Sequence, residues 1–403
     1  MLKRKTLRAL CHARGWTNMV CVTGFASACL IAETASAAEG PECDQDFRTV
    51  AFDLAAMEAF CADHGLTPIH VGVDERPNPN RAECLIGTDN SELINGGGGN
   101  DIIFGGRGAD ILNGGAGHDI IFGGWGDDTI FGDAGDDELH GGRSPDRIYG
   151  GNGNDLMFGD QDGDYMDGEG GEDTMHGCGG DDELFGTGGS DTIDGGTEND
   201  TISGGLGGDD LSGGDGNDTI HGDEGADTLE GNDGEDRLFG DEGADTLFGG
   251  MGNDPELRGG DGPDTIHGDE GDDWLYGEGG ADELFGDVGL DNLSGGAGRD
   301  VLSGGEDNDV LVGDEGADLL HGDLGDDELH GGVGPDELYG DDGADLLFGE
   351  EGQDGLLGGP GNDFLYGGDG NDALLGQEGD DELNGEGGTD VLIDILGTNV
   401  LNQ

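Results

Sequence analysis

The sequence predicts an all-β fold: a solenoid of short parallel strands, preceded by a small N-terminal α/β cap. Three observations carry this. From Gly96 to Ile393 one nine-residue unit, Gly-Gly-x-Gly-x-Asp-x-(Leu/Ile)-x, recurs thirty-three times with a single interruption. A unit that short cannot bury an apolar face alone and must stack on copies of itself. Third, 94 acidic residues stand against 14 basic ones, a formal charge of -80 with only 32% hydrophobic residues. Such a composition is that of a disordered polyanion unless cations neutralise it. It disfavours nucleic acid and anionic membrane surfaces as partners, since both are negative.

Residues 1–37 read as a secretory signal peptide. Lys3, Arg4, Lys5, Arg8 and Arg14 precede an apolar run from Met19 to Ala32, and Ala35-Ser36-Ala37 supplies the small residues of a cleavage site. The competing reading is a short membrane anchor, but the run falls well below the roughly 20 apolar residues that span a bilayer. No later segment is apolar enough for a transmembrane span, so the mature chain is expected to be secreted and soluble. It contains no lysine and carries a charge of about -84.

Residues 38–86 form a separate cap with three cysteines. Phe47, Val50, Ala51, Leu54, Met57 and Cys61 fall on a helical stripe. Asp44 or Asp46 suits its start, and Gly65 suits the position just beyond its end. Ile69, Val71 and Val73 alternate as in a strand, and Arg76-Pro77-Asn78-Pro79-Asn80 reads as a stiff linker. A piece this small needs a disulfide or docking to hold together. A pair within Cys43, Cys61 and Cys84 is expected, without its identity being fixed, while Cys178, inside the repeats, is free or intermolecular. His64 and His70 are read as surface or packed histidines rather than ligands.

The repeats occupy residues 87–393. The first unit, Gly87 to Asn95, is irregular, with Glu92 at the place of the aspartate. Within each regular unit, six residues rich in Gly, Asp and Asn predict a turn, and three with a central aliphatic predict a short strand. The aliphatic at position eight (Ile103, Leu112, Ile121) points inward. Two units make one coil, which separates the strands into two parallel sheets. At 254–258 the sequence Asp254-Pro255-Glu256-Leu257-Arg258 is one residue too long, and Pro255 lacks a ladder donor, so a bulge is expected. The tail, 394–403, loses the pattern and is expected to close the far end.

The sixth-position aspartates define the candidate site. Stacking places each about 4.8 Å from its counterpart one coil away. Carboxylates that close repel unless a cation lies between them. Carboxylates and backbone carbonyls are hard oxygen donors, and no Cys or His recurs in the turns, which selects Ca²⁺ over Zn²⁺ or Mg²⁺. Thirty-three units offer at most about 31 such sites, enough to bring the charge to about -22. The competing reading has each aspartate merely capping its own turn.

These units resemble the glycine-rich nonapeptides of repeats-in-toxin (RTX, haemolysin-type) calcium-binding proteins over residues 96–393. The resemblance implies a parallel β-roll in which the sixth-position Asp and turn carbonyls of adjacent coils share Ca²⁺. The metal-binding residues it implies begin with Asp101, Asp110, Asp119, Asp128, Asp137, Asp155, Asp173, Asp182, Asp191 and Asp209. They continue through Asp218, Asp227, Asp236, Asp245, Asp264, Asp273, Asp282, Asp291 and Asp300. Asp318, Asp327, Asp336, Asp345, Asp354, Asp363, Asp372, Asp381 and Asp390 complete the set. Asp146, Asp164, Asp200 and Asp309 are set apart because Ser144, Asp162, Glu198 and Asp307 replace the fourth glycine, and Asp254 because of the insertion.

Two features depart from the resemblance: only a 49-residue cap precedes the repeats, and the signal is N-terminal and cleavable. No His-Glu-x-x-His or Gly-x-Ser-x-Gly is present, so no enzymatic activity is expected. Position nine carries aromatics (Phe104, Phe122, Phe131, Tyr149, Phe158 and others) and histidines at 140, 176, 221, 267, 321 and 330. These are expected to face outward as stacked ladders, with a protein or glycan partner as the sharper reading. The function expected is that of an exported calcium-binding structural or interaction protein. The alternatives are a secreted toxin or hydrolase (or its accessory subunit) with an unrecognised active region, or a passive calcium reservoir.

Overall fold

The computed structural model describes residues 54–70, 81–393 and 400–402. Two compact units make up the chain, Met1–Ile69 and His70–Gln403. In the first, helix α1 spans Leu54–Asp63 and buries Met57 and Cys61. Gly65 follows it with φ 78°, and the Leu66 N–H donates to the Cys61 carbonyl at 2.9 Å. A left-handed residue closing a helix in this way is the usual place for glycine. The expected start of the helix at Phe47, and Val71, Val73 and the 76–80 linker, lie outside the described residues. So do the signal segment, Cys43 and most of the tail.

The second unit is a parallel β-solenoid of about 18 turns. Strands alternate between two sheets, and each pairs with the strand one coil away. Thr201, Ile202 and Ser203 are in register with Thr219, Ile220 and His221, 18 residues on. Two units per coil are thus observed, and the position-eight aliphatics fill the space between the sheets. Every one from Leu112 to Leu383 is at most 2% exposed.

The strands differ from expectation in length. Most span six residues rather than three, from position seven of one unit to position three of the next, as in Thr201–Leu206. The reason lies in position one, whose glycine also points inward, so the ladder continues past it. The turn shrinks to positions four to six. Position two then bends the strand through left-handed φ, for example 107° at Gly214.

The ladder also begins earlier than the glycine pattern. Cys84–Ile86 already pairs with Ile102–Phe104, with Leu85 in register with Ile103 and 3% exposed. Burial of one aliphatic and backbone pairing suffice for a strand; glycines are needed only where coils follow on both sides. At the insertion, Pro255 is an exposed bend and the pairing step becomes 19, Leu238 with Leu257 and Leu247 with Ile266. Leu257 still reaches the core, fully buried. At the far end Val400–Asn402 adds to the second sheet, the one that contains Thr201–Leu206, with Leu401 in register with Leu383.

Cysteines 61, 84 and 178 are each disulfide-bonded. Cys178 is therefore not free, which removes one of the two states expected for it. It occupies position two with φ 79° and a side chain on the outer face of its strand, where a second cysteine can reach it. Cys84 and Cys178 are five strand spacings apart in one sheet, about 24 Å. That is far beyond disulfide reach, so they are not joined to each other.

Candidate metal centre

The sixth-position aspartates stand at the bend between turn and strand, and each is drawn inward rather than outward. From Asp101 to Asp381 all are at most 3% exposed. Each carboxylate uses its two oxygens differently. Oδ1 accepts the backbone N–H of the equivalent aspartate one coil earlier, as Asp119 does from Asp101 at 2.6 Å and Asp227 from Asp209 at 2.8 Å. The bonds link into two unbroken ladders. One runs from Glu83 to Asp390 and the other from Glu92 to Asp381.

The second oxygen has no such partner. Oδ2 of every sixth-position aspartate from Asp101 to Asp381 is buried without a hydrogen bond. A bare, buried carboxylate oxygen is costly unless a proton or cation joins it. Its neighbours are oxygens. A methyl group placed on Gly105 would lie 2.5 Å from the Gly123 carbonyl and 2.8 Å from Asp110 Oδ2. The same pair of donors, the position-one carbonyl of the next coil and Oδ2, lines the space beside glycine after glycine: Gly123, Gly132, Gly186, Gly277. Position one is glycine because this space has no room for a side chain.

The electrostatics agree. Burial pushes these carboxyls up, partly offset by the backbone N–H each accepts. Asp101 rises to about 6, Asp128 to about 7, Asp345 to about 8 and Asp164 to about 10. Neighbouring carboxylates add to the rise; for Asp164 these are Asp146, Asp182 and Asp160.

The donor set fits Ca²⁺, being hard oxygen throughout, flexible in number and repeated along both edges. Among the described residues no three His, Cys, Asp or Glu side chains gather closely enough to hold a metal by themselves. Main-chain carbonyls must therefore complete any coordination, as the repeat's glycine content allows. The competing idea, that each aspartate caps its own turn, is replaced by bonds to the adjacent coil.

The aspartates set apart by sequence are not distinct in space. Ser144, Asp162, Glu198 and Asp307 adopt positive φ of 78°, 69°, 75° and 83°, smaller than the φ of position-four glycines such as Gly135 (143°) and Gly216 (159°). Asp146, Asp164, Asp200, Asp309 and Asp254 keep the ladder bond at 2.7–2.9 Å. Glu92 is the exception. Its backbone joins the ladder through Asp110 Oδ1 at 2.7 Å, but its carboxylate turns out to the Thr88 N–H and hydroxyl. Asp390, beside the end of the stack, is only half buried.

Two networks escaped the sequence. Asn, Asp or Ser at position five accepts the backbone N–H of position five one coil later, as Asn154 does from Glu172 at 3.1 Å and Asn199 from Asn217 at 2.9 Å. Their recurrence every 18 residues was the available signal. Position two is left-handed and non-glycine in about half the units, and Asp or Glu there commonly meets a donor at position nine of the preceding coil. Ser203 with Asp223 and His221 with Asp241 are examples, at 2.5 and 2.9 Å.

Position nine forms the expected ladders. Phe104, Phe122, His140, Phe158 and His176 stack in one run with ring centroids 4.7–5.2 Å apart. Phe104, Phe122, His140 and His176 are nevertheless buried, which withdraws that run from any partner surface. The stacks His221–Phe239, Phe248–His267–Phe285 and His330–Phe348–Tyr366 are more open.

Fold and site together define an acidic β-solenoid whose coils are joined by buried carboxylates suited to a hard divalent cation. The chain belongs to the RTX calcium-binding nonapeptide repeat family, which it matches in ten segments between residues 86 and 392. The matches stop at 254 and resume at 258, on either side of the Pro255 insertion. No curated protein matches the chain. It is a calcium-binding repeat protein with the β-roll fold.

Proposed function

We propose that this chain is exported and folds on meeting Ca²⁺ outside the cell, where it serves as a structural or adhesive protein rather than an enzyme. The observation that carries the reading is the run of buried, unpartnered Oδ2 atoms along both edges. Without a cation, dozens of carboxylates would be held dry and bare, and the extended polyanion is then the lower state. With Ca²⁺ the same oxygens become ligands, so binding energy becomes folding energy. The basic, then apolar, then small-residue pattern of 1–37 supports export. Among the described residues no helix is long and apolar enough to cross a membrane.

An adhesive role draws on the half-exposed ring stacks, and a calcium-dependent pull-down from extracellular material would test it. The folding claim is tested by adding Ca²⁺ to chelator-treated protein and following circular dichroism and tryptophan emission. A cooperative gain of β signal is expected. Spectra that do not change would refute the reading.

A further inference from the structure

A solenoid of nearly identical units has a problem of address. Sliding one strand by a whole coil, 18 residues, again sets Asp on Asp, Gly on Gly and Leu on Leu. Neither the core nor the acid ladders can tell adjacent coils apart.

The outer face of the second sheet can. Between residues 258 and 368 its coils alternate strictly. Arg258, Ser294 and His330 at position nine bond to Glu278, Asp314 and Glu350 at position two of the next coil, the last two at 2.7 and 3.1 Å. In the intervening coils Tyr276, Val312 and Phe348 stand at the same place, and Gly296, Gly332 and Gly368 hold position two. A slip of one coil would set Tyr276 beside Asp314 and Val312 beside Glu350. It would leave Arg258, Ser294 and His330 facing glycines. Every contact between position nine and position two in the stretch would be wrong at once, while the bonds that Arg258 and His330 make to Glu256 and Glu328 in their own strands would persist.

Backbone conformation makes the choice of acids informative. Glu278, Asp314 and Glu350 sit at φ 69°, 70° and 68°, where glycine is at ease and a side chain is strained. Glycine fills the same position in the alternate coils. In this stretch the acids therefore stand, against a local cost, in the three coils where Arg258, Ser294 and His330 face them.

We propose that this alternation is a register code, which fixes which coil stacks on which as the second sheet assembles. It does not depend on export or adhesion. The test uses the full chain, disulfides intact, refolded from denaturant by adding Ca²⁺. Asn292 is in register with Val310, and Trp274 lies two coils from Val310, about 9.6 Å and beyond disulfide reach. Asn292→Cys with Val310→Cys reports the native register; Trp274→Cys with Val310→Cys reports a one-coil slip, each read by peptide mapping.

The parent should form only the native cross-link. Glu278→Gly/Asp314→Gly/Glu350→Gly should raise the slipped cross-link about tenfold, the ratio that three ordinary cross-strand pairs supply together. Glu278→Gln/Asp314→Asn/Glu350→Gln, which keeps the hydrogen bonds, should hold the register. If the triple glycine variant does not refold, the single Asp314→Gly variant is read in the same way. Glycine variants that stay in register overturn the proposal, whether they are as stable as the parent, more stable through relief of strain, or less stable.

Discussion

Asp119 accepts the backbone N–H of Asp101 through Oδ1 at 2.6 Å, and its Oδ2, equally buried, has no partner. Repeated at each coil, this pair of facts joins stability to the ionic environment. One oxygen ties the coils together; the other must be neutralised for the tie to hold.

Protons should substitute in part for calcium. In the fold Asp128 is raised to about 7 and Asp345 to about 8, from an ordinary value of 3.8. A carboxyl whose folded value lies above its unfolded one favours the fold when protonated. That contribution is fully present below about 4 and is lost as the pH rises through about 6 to 8. In chelator, acidification from pH 8 to 5 should therefore restore β circular dichroism, and the calcium concentration needed for folding should fall as the pH drops toward 6. Loss of β signal on mild acidification would contradict the assignment.

Position-one glycine should resist substitution where position three does not. A methyl group on Gly213 would lie 2.3 Å from Asp218 Oδ2, whereas on Gly170 it meets nothing nearer than 3.9 Å. Gly213→Ala should cost about 1–3 kcal/mol of the calcium-loaded stability. Gly170→Ala should stay within about 0.5 kcal/mol. Denaturant midpoints in saturating Ca²⁺ measure both.

Deleting Pro255 should do little harm. Asp254 and Leu257 already occupy ladder and core, both fully buried, and the proline is an exposed extra residue between them. The shortened chain has a regular unit there. Its calcium midpoint should match the parent or improve, and a loss of more than about 1 kcal/mol would assign the bulge a structural role.

Trp125 should report coil assembly. Its ring lies between Arg107 and Arg143, at 4.3 and 5.0 Å from the guanidinium carbons, so three successive coils meet at one side chain. In a Trp274→Phe background, calcium should shift the Trp125 emission. Arg107→Ala should shrink that shift while the circular dichroism transition remains.

Leu275 is fully buried among the position-eight residues. Leu275→Ala should destabilise the loaded roll by about 2–5 kcal/mol, read from the same denaturant curves.

Much of this was legible in the repeat. Its period gave two units per coil and parallel sheets, its eighth position gave the core, and its acids with their hard-oxygen surroundings gave the cation. These depend on local spacing, and stacking simply multiplies them. The strands are longer than the three residues expected and Cys178 is not free, because both depend on what a neighbouring strand or a distant cysteine supplies. Glu92 was recognised as irregular, but only the packed coil shows its extra methylene turning the carboxylate out to Thr88.

By itself, then, the sequence determined what is periodic: the coil, its core, its charge and its counter-ion. The tertiary structure decided what lies between coils. It gave each aspartate one bonded and one bare oxygen, held Ser144, Asp162, Glu198 and Asp307 at positive φ, and paired position nine with position two along the outer face. These relationships link residues 18 to 20 apart through contact rather than through chain connectivity. A repeat that looks the same at every step cannot state which step it meets; only packing settles that.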